Sequence, residues 1–492
     1  MTVRWEAPPG TFARSFRLGE WIGEPVTPLF ESWLLTTMEE TMHGEYARLV
    51  GQPAPRPLHV VVNGWYYYSL NFLPASFGGI ARMLPGMLVR LARDPRRIAP
   101  VFPPLAGLGI DLYVDDWRRD LLPTYRDAVE RASGEIASGS PQRLRAIIDD
   151  LAVLAGRYFT SITFVAGYGW KTEIPLSQFY RRHLQGPLGG HPQVLLRGLV
   201  RPTNAPHDVQ SLDWSFRTQG ELGTTRAVET EARYRRLERE RADLERRASA
   251  LLPPKLATRF ARLLAEAQRA AILREEQVAQ LTLAWPVFRR ALARIGELLV
   301  TRSVIAEPDD VYFLERDALF AAIEGAPQGR GADVATRRAR WSEERRLIAP
   351  LVIGRIPKML ERLLGAADRA MRDPAEMTPG EVRGVPASPG RATGRARLVR
   401  SATEFDLLRK GEVLVCPVTT PSWTQLFERA AAVVTDVGSL ASHASIIARE
   451  YGIPAVVGTG DGTSRIRDGE RVTVDGSAGV VLREAVRPEA AP

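Results

Sequence analysis

From Pro28 to Met371 apolar residues recur three and four positions apart, the spacing that gathers them on one face of an α-helix. Leu144–Leu154 and Leu256–Leu283 are the clearest such runs. Two shorter stretches, His59–Gly64 and Asp310–Leu314, read as extended, while Pro253-Pro254 and Glu307-Pro308-Asp309 punctuate the helices. Beyond Met371 the pattern changes. Residues 372–383 are polar with two prolines and a glycine, and read as an interdomain linker. Short β-rich runs bounded by glycines then follow at Arg395–Val399, Glu412–Cys416, Ala432–Thr435, Ala455–Val457, Arg471–Val474 and Val480–Leu482. Helical spacing returns only near Thr403–Leu408 and Ser442–Tyr451. The pattern predicts an α+β multidomain protein. A mainly helical region over 1–371 is joined by the linker 372–383 to a compact β/α domain over 384–484, with a frayed tail at 485–492.

The composition of the 492 residues, 45% hydrophobic and 25% charged, is ordinary for folded domains. A single cysteine, Cys416, excludes a disulfide framework and a Cys-cluster metal site, and six scattered histidines without HxxxH spacing argue against zinc. The net charge of +9 does not imply nucleic acid: only Lys171, Lys255, Lys358 and Lys410 are lysines, and the arginines alternate with acids, as in Arg235–Asp243. Neither a signal-peptide h-region nor an apolar run long enough to span a bilayer occurs, so a cytoplasmic protein with no membrane partner is expected.

Candidate chemistry concentrates in Thr435–Gly458. An apolar strand, Ala432–Thr435, enters a turn at Asp436–Ser439, and a helix follows with Ser442 or Ser439 as natural N-cap. Ala444, Ile447 and Tyr451 share a face, Gly452 sits where a C′ glycine belongs, and Pro454 blocks continuation. His443 therefore falls in the first helical turn, where unpaired N–H groups and the local dipole disfavour imidazolium and favour an anion. A neutral, nucleophilic ring carrying a phosphoryl group suits that position; so does a histidine that merely caps or packs.

The run Gly438-Ser-Leu-Ala-Ser-His443-Ala-Ser-Ile-Ile-Ala-Arg-Glu-Tyr-Gly-Ile-Pro-Ala-Val-Val-Gly458 resembles the phosphohistidine signature of the phosphoenolpyruvate-utilising enzymes' swivelling domain. Gly384–Gly390 with Gly394–Arg397, Gly411–Trp423 and Asp475–Gly479 resemble that domain's companion segments in order. The resemblance covers about 100 residues and implies that His443 carries the phosphoryl group. Gly438, Ser439 and Ser442 would support it, and Arg449, Gly452 and Pro454 match positions read as structural. Gly23–Leu29, Val62–Tyr67, Leu196–Asn204 and Asp309–Leu314 resemble patches of the substrate-binding domain in the rifampin phosphotransferase-like branch. That branch loads the histidine from an ATP-grasp domain. No Gly-rich, Lys-containing phosphate loop appears in the first half of this chain. The resemblance thus implies a split dikinase whose ATP and Mg2+ are bound by a separate, pyruvate-phosphate-dikinase-like ATP-grasp subunit, with AMP and phosphate as by-products. No cofactor or metal intrinsic to the chain is expected.

The acceptor would be a hydroxyl of a small organic molecule, with Trp65, Tyr67, Arg274 and Trp285 as possible pocket residues. Trp65–Tyr68, Phe72, Asn63 and Asn71 suit an aromatic ligand cleft, and equally a packed core. Arg274–Leu299 reads as a helix interrupted at Trp285-Pro286; Val278, Leu281 and Leu283 occupy a face that carries more arginine in relatives. A general base among His183, His191 and His207, and a turn cap at Asp309-Asp310, are further expectations. Two alternatives stay open. One is a non-catalytic ligand- or partner-binding protein that retains the swivelling fold; the other is a carrier that passes phosphate to another protein.

Overall fold

A computed structural model describes residues 3–14, 21–50, 56–70, 88–89, 92–93, 94–98, 109–165, 168–189, 191–200, 205–209, 211–223, 231–325, 331–347, 349–350, 352–355, 380–400, 402–419, 423–438 and 442–484. Its longer helices are α1 (Thr36–Val50), α2 (Leu122–Glu135), α3 (Pro141–Val165), α4 (Tyr168–His183), α5 (Glu231–Leu251), α6 (Pro254–Val278), α7 (Trp285–Thr301), α8 (Arg316–Ile323), α9 (Gly331–Glu344) and α10 (His443–Tyr451). Its strands are β1 (Phe12–Ala13), β2 (His59–Val62), β3 (Trp65–Ser69), β4 (Val352–Ile353), β5 (Glu381–Arg383), β6 (Val385–Ser388), β7 (Arg391–Leu398), β8 (Val413–Cys416), β9 (Ala432–Thr435), β10 (Ala455–Val457), β11 (Arg471–Asp475) and β12 (Val480–Arg483). Among the described residues no helix is long and apolar enough to cross a membrane.

The chain packs as two compact units that differ from the division read in the sequence. One comprises Met1–Tyr168, Asn204–Thr225 and Glu276–Pro357; the other comprises Gly169–Thr203, Arg226–Glu275 and Lys358–Pro492. The division by apolar period groups residues that share a secondary structure. It does not register that most of α4, all of α5 and most of α6 pack with the C-terminal sheet.

The first unit combines helices α1–α3 and α7–α9 with a small antiparallel sheet in the order β2-β3-β1-β4. The β2–β3 hairpin turns through Asn63 and Gly64, both at positive φ (48° and 76°), as a two-residue hairpin requires. Trp33 anchors the helical core, meeting Trp214 at 5.8 Å and Phe320 at 5.0 Å edge-on. The expected extended piece at Asp310–Leu314 is instead a 3-10 turn, Pro308–Phe313. Glu307 and Asp310 form a reciprocal capping box, so the carboxylate next to the proline closes a turn where β-branched and aromatic residues alone suggest a strand. Likewise, Arg274 and Trp285 lie on two helices. Residues between Val278 and Trp285 form turns, and Pro286 initiates α7 at a position where its missing N–H costs nothing.

The second unit is built on an eight-stranded sheet, β5-β12-β11-β7-β8-β9-β10-β6, parallel across β7–β8–β9–β10 and antiparallel elsewhere. Alternation along the strands feeds two cores. Leu414, Cys416 and Val433 face one side with Ala444, Ile447 and Tyr451, while Val413, Val415, Ala432 and Val434 face the other. Glu381–Arg383, read as the end of the linker, forms edge strand β5 against β12; the valine between two charged residues gives it a buried face. The remaining linker residues, 372–379, and the tail lie outside the described residues. Leu176, Phe179, Tyr180, Leu195, Leu244, Phe260 and Leu264 make a third core, which ties α4, α5 and α6 together.

Candidate phosphohistidine site

Strand β9 ends at Thr435, the chain turns at the carboxyl edge of the parallel strands, and α10 begins at His443 before returning to β10. This edge is where open α/β sheets present helix N-termini to ligands. The loops after neighbouring strands are tied together. Asp436 N–H donates to the Cys416 carbonyl at 3.2 Å, and Val437 N–H to the Pro417 carbonyl at 2.8 Å. The Asp436 carboxylate accepts from Thr459 Oγ1 at 3.0 Å, Thr463 N at 3.0 Å and the Thr463 hydroxyl. Burial raises its pKa while these donors lower it.

Gly438 and Gly458 meet below the turn. A Cβ on Gly438 would lie 2.9 Å from Val457 Cβ; one on Gly458, whose φ is +66°, would lie 2.6 Å from the Gly438 carbonyl oxygen. Gly458→Ala is therefore expected to destabilise the chain by about 1–3 kcal/mol, through left-handed strain plus overpacking. Urea unfolding checks this, and an unchanged midpoint contradicts it. Ser442 is the N-cap residue, in extended conformation, but its hydroxyl lies 3.1 Å from Ser445 Oγ and makes no side-chain cap to the helix. Ser439 lies outside the described residues.

The His443 ring is buried, only 8% exposed. Thr419 Oγ1 lies 3.1 Å from Nδ1 and Thr424 Oγ1 lies 3.3 Å from Nε2. Phe427 meets the ring edge-on at 6.1 Å. A hydroxyl both donates and accepts, so this pair orients the ring in either neutral tautomer. Burial, reinforced by the positive charge of Arg274, pulls His443 down to about 3. The ring is thus neutral near pH 7, with a lone pair available for bonding. Arg274, in the last turns of α6, is itself buried and pairs with Glu275 at 2.5 Å.

The remaining expected pocket residues, Trp65, Tyr67 and Trp285, belong to the first unit. Trp65 and Tyr67 are buried in β3 among Phe12, Val62, Ala349 and Ile353. Trp65 Nε1 donates to the Glu344 carbonyl at 3.1 Å, and Tyr67 OH to the Pro350 carbonyl at 3.0 Å. An interior strand of a four-stranded sheet needs such side chains for its core, so they line that core. Asn71 and Phe72 lie outside the described residues. Trp285 is 1% exposed, packs on Phe288 and donates to the Leu212 carbonyl at 2.8 Å. Of the four, Arg274 belongs to the unit of His443 and lowers its pKa. His191 accepts the Gln193 N–H through Nδ1 at 3.3 Å, and His207 Nε2 lies 2.7 Å from the Ala279 carbonyl. Asp310 does cap its turn, accepting the N–H groups of Ala306 and Glu307.

Sequence reading missed four residues that the second unit brings to α10. Thr419 lies inside the Gly411–Trp423 segment and Thr424 follows it, so a hydroxyl count there was the available signal. Glu173 and Gln193 carried none. Both contact Arg449 Nη1, at 3.4 and 3.1 Å, from more than 250 positions away.

The ionisation of this buried set has a readable consequence. His443 and His191, both lowered to about 3 chiefly by burial, take up protons first in the unfolded chain. Their stabilisation is complete above about pH 6.5 and is lost as pH falls toward 3. Glu450, raised by burial to about 8, acts in the opposite sense, its contribution fading as pH rises from about 4.5 through 8. The His443 ring is expected to give neutral-imidazole 15N shifts at pH 5; imidazolium shifts there contradict this burial.

Residues 408–479 match the family described as PEP-utilising enzyme, mobile domain. The chain is 42% identical over 192 residues to the uncharacterized phosphotransferase YvkC of Bacillus subtilis strain 168, covering 39% of this chain and 23% of that protein. It is 53% identical over 111 residues to a phosphoenolpyruvate synthase of Aeropyrum pernix, covering 22% and 14% respectively. It is 37% identical over 198 residues to a rifampicin phosphotransferase of Streptomyces sviceus, covering 40% and 21%. The matches therefore span less than a quarter of each of these relatives.

Proposed function

From a C-terminal domain matched by the mobile domain of PEP-utilising enzymes, we propose that this chain is a phosphotransferase subunit of a split dikinase. His443 takes a phosphoryl group from ATP held with Mg2+ on a separate ATP-grasp subunit and delivers it to a hydroxyl of a small organic molecule. The observation that carries this reading is the state of His443 itself. It is a neutral imidazole in the first turn of α10, oriented by Thr419 and Thr424 and exposed to the positive field of Arg274. A buried packing histidine also needs a partner at each ring nitrogen; what supports a carrier role here is the place of His443 in the first turn of α10 together with the positive field of Arg274.

Loading breaks both phosphoanhydride bonds of ATP: one is exchanged for the phosphorus–nitrogen bond to His443 and the other for a bond to the oxygen of one water, so that AMP and orthophosphate leave. Delivery breaks the phosphorus–nitrogen bond as the acceptor oxygen bonds phosphorus. The hydroxyl proton passes to solvent or a base, and the ring returns neutral. Neither step needs much covalent help from the protein, because the transition state is loose and its charge sits on the equatorial oxygens. Positioning and a nearby cation are what the site must supply. Arg274 is that cation on the delivery side. The mobile domain would turn between the ATP-grasp partner and Arg274, and the polar residues 372–380, up to roughly 30 Å long if extended, would give it the reach.

The test combines the chain, a candidate ATP-grasp protein, Mg2+ and ATP labelled with 32P at the β and γ positions, together with a panel of alcohols and phenols. A labelled small molecule with AMP and orthophosphate supports the reading. Label on a second protein instead establishes a protein-to-protein carrier. No label on His443 from any donor leaves a binding protein with a retained fold.

A further inference from the structure

Helix α10 carries, beyond His443, two ionisable side chains buried in the second unit. Arg449 is 2% exposed and Glu450 3%. Arg449 Nε donates to the Ser445 carbonyl at 3.0 Å, which holds the guanidinium along its own helix. Its Nη1 then donates to Glu173 Oε2 at 3.4 Å and Gln193 Oε1 at 3.1 Å. Both acceptors belong to Gly169–Thr203, a segment far from the mobile domain in sequence but in the same compact unit. Glu450 Oε1 accepts the Leu199 N–H at 3.4 Å. From the other direction, Arg197 Nη2 donates to the Pro389 carbonyl at 2.8 Å, just past β6.

The receiving segment is itself braced. His191 caps the 3-10 turn Pro192–Leu196 through the Gln193 N–H. Arg241 of α5 donates to the carbonyls of Arg197 and Gly198. Gln268 of α6 donates to the Leu195 carbonyl at 3.0 Å. Buried charge pairs contribute little net stability compared with apolar packing, but breaking one is costly and they specify geometry. A buried pair between a mobile domain and its seat is suited to fixing a docked orientation.

We infer that Arg449, with Glu173 and Gln193, is a docking key: a set of positioning residues that seats the mobile domain so that His443 faces Arg274 for phosphoryl delivery. The inference rests on the phosphotransfer reading for its consequence, though not for its geometry. Six residues separate His443 from Arg449, about 9 Å along the helix. The key therefore fixes orientation from a second point well away from the reacting ring. Glu173 is the informative position because it lies on the seat and outside the mobile domain. Burial pushes its carboxyl above the usual range, while Arg449 and Arg274 pull it back toward the charged form. The isosteric Glu173→Gln removes the charge and keeps the shape.

Two measurements on the full chain test it. First, diethylpyrocarbonate labelling at pH 7, read by peptide mass spectrometry, reports access to His443. Glu173→Gln is expected to speed labelling of His443 by about tenfold or more, as loss of one buried charge partner weakens the seat, with the other histidines unchanged. Arg449→Lys, which keeps the charge and loses the fork, is expected to do the same. An unchanged His443 rate, or an equal rise at all histidines, overturns the key. Second, single-turnover delivery from the phosphorylated chain is expected to fall about 30-fold in Glu173→Gln, while loading is not slowed. Equal losses in both half-reactions overturn the positioning role. A wild type that accepts no phosphate while its labelling still responds to Glu173→Gln removes the phosphotransfer reading and leaves the docking key standing.

Discussion

His443→Ala is expected to abolish phosphoryl acceptance outright, with no incorporation above background. In the proposed reaction the ring supplies the bonding nitrogen, so nothing short of another nucleophile at the same point would replace it. The described histidine most like it, His191, is equally buried but spends Nδ1 on the Gln193 N–H and caps a turn. Thr419 and Thr424 remain in the variant, but hydroxyls at neutral pH are poor nucleophiles without a base. Loss of the ring also leaves a gap beside Phe427, which on its own costs stability. His443→Gln, which fills more of that space, separates the two effects. It should recover folding, read by urea midpoint, and no phosphate, read by 32P incorporation. Incorporation in either variant at a tenth of wild type or more contradicts the assignment.

The second large effect is at Arg274. Arg274→Ala is expected to slow delivery from phosphorylated chain to acceptor by about 10²- to 10³-fold, the scale seen when one preorganised charge partner is removed from a developing anion. Loading should be unaffected, because it takes place with the domain off this seat. Arg274→Lys should fall between, keeping the charge and losing the guanidinium fork. Arg274 is buried and paired with Glu275 at 2.5 Å, so the lone Glu275 in the alanine variant adds a penalty of its own. The double variant Arg274→Ala, Glu275→Ala measures that part. Delivery at the wild-type rate in Arg274→Ala contradicts the electrostatic role.

What the sequence disclosed follows from which interactions are local. Strand β9, helix α10 and strand β10 were legible to within a residue. An apolar strand, a Gly turn, a C′ glycine at Gly452 and a proline at 454 each act within a few positions. The 3-10 turn at Pro308–Phe313 was misread because Val311, Tyr312 and Phe313 suit a strand, and only the reciprocal cap between Glu307 and Asp310 overrides them. Trp65 and Tyr67 are the same residue types in a cleft or a core; a sheet that recruits β1 and β4 from opposite ends of its unit decided for the core. Glu173, Gln193 and Arg274 became part of the site only because α4, the 3-10 turn Pro192–Leu196 and α6 pack in the same unit as the C-terminal sheet. No period or motif within those helices announces a partner hundreds of residues away.

The central claim, that His443 is a phosphocarrier, is tested most directly by intact mass after incubation of the full chain with ATP, Mg2+ and an ATP-grasp partner. The account predicts a gain of one phosphoryl group, roughly 80 Da, that is lost in acid and stable in base, as expected for a phosphoramidate on a nucleophilic histidine. Fragmentation should place it on His443. An unchanged mass with every ATP-grasp partner and donor tried, or an acid-stable phosphate on Thr419 or Thr424, would contradict it.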